Sequence, residues 1–310
     1  MELSFLLIRQ IAAMFLMMAL GFVLVKTKIL KPDHGTVISK ILLYGVIPCA
    51  IINSYQIDFT MEKLAGLGVS ILGGLIAHLV FLILERVLRR PLRLQAVESA
   101  SIIYSNAGNL IIPLVLASLG PEWVFYVSGF MMVQQFLIWT HGKSLVSGTR
   151  QYDFKKIITN VNILAIFVGW ILFFTGFRFP VMVQTTVDSL AGMLAPLSMI
   201  LTGMLLGGMK FREIVADRRV YLVTALRLIV FPVVVILIFA LLHLTALHPQ
   251  AESILLITIL ATASSCATTI TQFAQLYQNK PGYTSVISIM TVLFCIITIP
   301  LMTMFYQFMM

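Results

Sequence analysis

The chain has 310 residues, of which 60% are hydrophobic and 11% charged. A soluble domain carries about 25% charged residues, so these charges cannot cover a water-facing surface and a soluble fold is excluded. The net charge of +9 then reads as the positive-inside bias of a membrane protein, not as a nucleic-acid footprint.

A bilayer span needs about 20 apolar residues. The first such run, 5–25, follows Glu2 instead of a basic cluster and is too long for the core of a signal peptide, so it is expected to be a span. Nine more follow at 37–55, 65–84, 97–118, 122–141, 161–177, 187–208, 220–242, 253–276 and 284–306. Pro48 and Pro196 lie inside the second and seventh, where they predict kinks. Cys49, Cys266 and Cys295 fall in apolar stretches and imply no disulfide framework.

Lys and Arg set the orientation. Lys26, Lys28 and Lys31 follow span one; Arg86, Arg89, Arg90 and Arg93 follow span three. Lys143, Arg150, Lys155 and Lys156 follow span five; Lys210, Arg212, Arg218 and Arg219 follow span seven; Lys280 follows span nine. The opposite loops hold Lys63 and Arg178. This alternation predicts an even number of spans with both termini outside the cell.

The halves are weakly alike. Pro48 and Pro196 each lie in the second span of a half, and Gln95-Ala96-Val97-Glu98 opens span four as Gln250-Ala251-Glu252 opens span nine. Five spans per half is odd, so the second half must insert upside down, an inverted repeat. The expected divisions are a first five-helix repeat at 1–141, a basic cytoplasmic loop at 142–157 and a second repeat at 158–310.

Residues 105–113 read Ser-Asn-Ala-Gly-Asn-Leu-Ile-Ile-Pro. Gly108 loosens a helix and Pro113 removes a donor and crowds the preceding turn. Within hydrocarbon such a break survives only where it is buried in protein or lines a wet cavity. Broken helices of this kind build the sites of secondary transporters. One half-helix would end near Ser105, and the next would begin near Asn109 or Leu110 with free N–H groups suited to a carboxylate. Asn106 and Asn109 either cap the broken ends or bind a polar substrate. At matching depth in span nine, Ser264, Ser265, Thr268, Thr269 and Gln272 form a second polar interruption. Each alone reads as a packing residue bonded to its own helix; together they point to a site.

Arg227 lies deep in span eight, where a charge costs about 2.5–3.5 kcal/mol on insertion scales. It either snorkels outward or attracts an anion. Asn53, Gln134 and Gln135 are weaker candidates, and His78 reads as a packed histidine. No Asp or Glu lies deep in a span, and no HExxH or GxxxxGK[ST] motif occurs. An intramembrane enzyme therefore lacks its machinery, and neither a cofactor nor a metal is expected.

Asn106-Ala107-Gly108-Asn109-Leu110-Ile111-Ile112-Pro113-Leu114 resembles the Asn-x-Gly-Asn-x-Gly-x-Pro-Leu pattern in the fourth span of the auxin efflux carrier family. Ten spans, a central basic loop and Phe273-Ala274-Gln275-Leu276-Tyr277 at the close of span nine extend the resemblance along the chain. It implies an all-α polytopic fold like that of bile acid–sodium symporters, with discontinuous helices four and nine crossing at their breaks. It also implies transport of organic anions such as auxin, malate or malonate, with Asn106, Asn109 and Pro113 lining the crossover. Two positions depart from the pattern: Ile111 replaces a glycine, and Ser265 and Cys266 stand where span nine usually has a proline. Helix nine is therefore open to being bent instead of broken.

The expected function is that of a permease exporting a small organic anion across the plasma membrane by alternating access. Spans one, two, six and seven would form the scaffold. The alternative is a sodium-coupled symporter with oxygen ligands from Ser105, Asn106, Thr268 and Gln272. The expected partners are the organic anion and the lipid bilayer, with a homodimer allowed and no nucleic acid.

Overall fold

A computed structural model describes residues 2–149, 159–209 and 217–310, and these are helical apart from turns and one isolated bridge. Half of the expected basic loop at 142–157, residues 150–157, therefore lies outside the described residues, with Arg150, Lys155 and Lys156 in it, as do Lys210 and Arg212. Among the described residues, six helical segments are long and apolar enough to cross a bilayer: Arg9–Lys26, Pro32–Ser54, Met61–Arg89, Val181–Gly208, Arg218–Leu241 and Pro281–Met309. Shorter apolar helices cover Ala107–Ser118, Val161–Thr175 and Ala251–Thr262.

In chain order the helices are α1 (Glu2–Lys26), α2 (Gly35–Ile41), α3 (Ile47–Ser54), α4 (Met61–Arg89), α5 (Ala96–Ile103) and α6 (Ile112–Ser118). They continue as α7 (Pro121–Leu137), α8 (Lys143–Ser147), α9 (Val161–Thr175), α10 (Val181–Gly192) and α11 (Leu194–Gly208). The last are α12 (Arg218–Ala225), α13 (Phe231–Leu241), α14 (Ala251–Thr262), α15 (Thr268–Leu276) and α16 (Pro281–Met309).

Three prolines act alike. Pro48, Pro113 and Pro232 each sit second in a helix that follows a five-residue π turn, at Leu42–Val46, Ala107–Ile111 and Leu226–Val230. A proline ring crowds the carbonyl four residues back, here Tyr44, Asn109 and Leu228. Widening the preceding turn by one residue relieves that crowding. Near Pro196 the kink takes another form: α10 and α11 are divided at Met193.

Two regions frame the site. On one side α1 lies along α11 with backbones almost touching. A Cβ at Gly203 would collide with the Met18 carbonyl, and one at Gly21 with the Ile200 carbonyl. Gly203 and Gly207 are four apart, the small-residue spacing by which membrane helices approach closely. On the other side α4 packs on α7 and α14. His78 is buried there, with Nδ1 2.7 Å from the Gly74 carbonyl and its ring beside Phe130.

Glu98 fixes where α5 begins. Its carboxylate accepts the Gln95 backbone N–H at 2.7 Å and a forked pair from Arg219 of α12 at 2.8 and 2.7 Å. The Tyr283 hydroxyl of α16 adds a bond at 2.7 Å. A buried carboxylate is tolerable only when paired and hydrogen-bonded in this way. Three helices are thereby tied at the mouth of the fourth expected span.

Candidate functional site

Each of two expected spans is interrupted at its middle. α5 ends at Ile103 and helix resumes at Ala107; α14 ends at Thr262 and helix resumes at Thr268. The second interruption is a true break, although 263–267 contains no proline or glycine.

The breaks cross and hold each other. Asn106 N–H donates to the Ser265 carbonyl at 2.9 Å, and Ala267 N–H donates to the Tyr104 carbonyl at 2.9 Å. These two bonds form an antiparallel bridge between Ser105 and Cys266. Buried peptide groups must be paired where water is absent, and side chains from other helices supply the rest. Gln134 of α7 accepts from the Ser105 N–H at 2.9 Å and hydroxyl at 2.6 Å, and its amide donates to the Ser105 carbonyl at 2.9 Å. Thr291 of α16 accepts from the Cys266 N–H at 3.1 Å.

The two C-terminal ends converge on Arg227. Its Nε–H donates to the Ser264 carbonyl at 3.0 Å, and Nη1 donates to the Ile102 carbonyl at 2.9 Å and, more loosely, the Ile103 carbonyl at 3.5 Å. The guanidinium lies 5.4 Å from the centre of the Phe81 ring. The residue is wholly buried, so the expectation that it snorkels outward is corrected. The carbonyls left over at two helix ends give Nε and Nη1 partners inside the protein, which holds the side chain away from the interface.

The two N-terminal ends face the other way, into a cavity of about 70 Å³. Neither end is capped by a side chain: Asn106 and Ala267 make no capping bond. Some helices here are capped, α4 by Thr60, α9 by Asn160 and α12 by Asp217, and others, such as α7, α10 and α16, are not. The two ends at the cavity thus keep donors that a cap would occupy.

Of the residues singled out from sequence, Ser105, Asn106, Gly108, Asn109, Thr268, Thr269 and Gln272 line this cavity. Asn109 Nδ2 donates to Thr268 Oγ1 at 3.3 Å across the crossing. Pro113, Ser265 and Arg227 do not line it. Pro113 acts through the π turn, Ser265 through its carbonyl in the bridge, and Arg227 behind the breaks.

Gln134 and Gln135 line the cavity as well, and sequence reasoning ranked them low. Asn162 of α9 was missed altogether; it lines the cavity, and its buried side-chain oxygen has no partner. The available signal was an amide in the first turn of an otherwise apolar span.

Helices long enough to span a bilayer, packed around shorter helices whose breaks cross at a polar cavity, make up the kind of site found in membrane transporters. A family model described as "Membrane transport protein" matches residues 6–152 and 149–303. The chain belongs to that family, the auxin efflux carriers, and is a multi-pass membrane transporter. No match is found among curated proteins.

Proposed function

We propose that this transporter is a secondary carrier that exports a small organic anion, a carboxylate, across the plasma membrane by alternating access. One observation carries the reading: two uncapped helix N-termini meet on one polar cavity. Each end has partial positive charge, about half an elementary charge, and free N–H donors. Asn106 and Asn109 add amide donors beside them. A water needs about 10–15 Å³ by the measure that gives this cavity about 70 Å³, so the space suits a small carboxylate and its water.

The crossing of the two breaks supports ten spans in two inverted five-helix repeats, 1–141 and 158–310, joined by the basic segment 142–157. The close α1–α11 pair supports a scaffold of spans one, two, six and seven, with the remaining spans moving around the crossover. Ser39, Ile138 and Gln272 line the cavity near helix ends that lead from or to basic loops. With those loops cytoplasmic and both termini outside, this is an inward-facing cavity. An anion then leaves downhill, at about 2.3 kcal/mol per charge per 100 mV.

The test is efflux of radiolabelled malonate from proteoliposomes under imposed potassium-diffusion potentials. Efflux should speed up as the interior is made negative. Malonate flux indifferent to potential would remove the electrogenic export assignment, and flux that requires sodium would favour a sodium-coupled symporter.

A further inference from the structure

We propose that Arg227 is the positioning residue that makes the crossover selective for anions, without touching the ligand. The proposal rests on the anion reading above. A crossing of two broken helices brings together four helix ends. Two are C-terminal, near Ile103 and Ser264, and two are N-terminal, near Ala107 and Thr268. Each end carries a partial charge of about 0.5, negative at C-termini and positive at N-termini. Left alone, the four ends cancel, and the crossover has no net preference for charge.

Arg227 breaks that balance. Its guanidinium is bonded to carbonyls of both C-terminal ends and to neither N-terminal end. Among the described residues no carboxylate forms an ion pair with it. One full positive charge therefore sits on two ends worth about one negative charge together. The N-terminal ends, which line the cavity, are left unopposed. The fork also explains why Arg and not Lys suits the position: a planar guanidinium addresses two helix ends at once. Its Nη2 has no hydrogen-bond partner. The buried ring of Phe81 lies against it, and a low-dielectric surrounding lets its field act at a distance.

A purely structural Arg227 would hold the breaks together, and its loss would weaken every ligand alike. A field-setting Arg227 predicts a loss that scales with ligand charge. The experiment measures binding of acetate and malonate at pH 7.5 to purified wild type, Arg227→Gln and Arg227→Lys, with thermal unfolding recorded in parallel. For Arg227→Gln, a loss of about fivefold for acetate should accompany about twenty-five-fold for malonate, because the field energy is proportional to charge. Arg227→Lys should keep the wild-type ratio of malonate to acetate affinity even if both bind more weakly. If Arg227→Gln does not fold, that ratio in Arg227→Lys decides the question. Equal losses for both anions in a folded Gln variant, no loss at all, or a collapsed ratio in the Lys variant would overturn the proposal. If wild type binds neither anion, the anion reading itself fails; if it binds both and the charge scaling is absent, only the role of Arg227 fails.

Discussion

The two breaks reach one geometry from different sequences. The first carries its breakers openly: Gly108 between Asn106 and Asn109, and Pro113 beyond them, with a π turn at Ala107–Ile111. The second, Ala263-Ser264-Ser265-Cys266-Ala267, has no helix breaker at all. Both are held by groups that come from elsewhere: Gln134 on Ser105, Thr291 on Cys266, and Arg227 on the carbonyls of both. A helix opens at bilayer depth when partners are waiting for its freed peptide groups, with or without a proline to force it. The two also bring different chemistry to the cavity: the first break contributes Ser105 and two amides, Asn106 and Asn109, the second two hydroxyls, Thr268 and Thr269, and one amide, Gln272.

The comparison can be broken at its supports. Gln134→Leu should cost most, about 3–5 kcal/mol in thermal unfolding, because it strands the Ser105 N–H, carbonyl and hydroxyl together. A cost under about 1 kcal/mol would mean that the first break sustains itself. Gly203→Leu tests the scaffold, away from both breaks. Driving a side chain toward the Met18 carbonyl should cost about 2–4 kcal/mol while the folded fraction still binds carboxylate. Thr291→Val removes one support from the second break and should cost about 1–2 kcal/mol; a loss as large as that of Gln134→Leu would mean that the proline-free break depends more heavily on its partner.

The smallest effect lies at the loop between α3 and α4. Arg178 holds the Asp58 carboxyl below its ordinary value, by hydrogen bond and charge. A lowered folded-state value means that the pair's contribution is present above the ordinary carboxylate range and fades as pH falls through the shifted one. Asp58 is fully exposed, so Asp58→Asn should leave unfolding at pH 7 almost unchanged and flatten its acid dependence. A large loss at pH 7 would show that the pair anchors more than a loop.

The sequence made the apolar stretches and the first break legible, since both are written in local composition and in residues with strong backbone preferences. The second break was not legible, because what opens it lies outside it: the Thr291 hydroxyl is 25 residues from Cys266, and Arg227 is 37 from Ser264 and 125 from Ile102. For the same reason Arg227 read as a choice between snorkelling and ligand contact. Nothing in a single helix reveals that two sets of carbonyl groups converge on it. Gln134 was underrated because an amide in an apolar span looks the same whether it packs or clamps a broken strand.

Ligand-dependent unfolding reads out whether the crossing binds a carboxylate at its uncapped helix ends. Purified wild type and Asn109→Ala are heated with and without malonate, varied up to saturation. At about 100 times its dissociation constant, a ligand stabilises the folded state by about 2.7 kcal/mol. Asn109 makes one long bond, 3.3 Å to Thr268, so its loss should leave the ligand-free protein within about 0.5 kcal/mol of wild type. Malonate should shift the unfolding of wild type clearly, and the shift should disappear in Asn109→Ala. No shift in wild type with malonate, or an equal shift in both proteins, would contradict binding of a carboxylate at those ends.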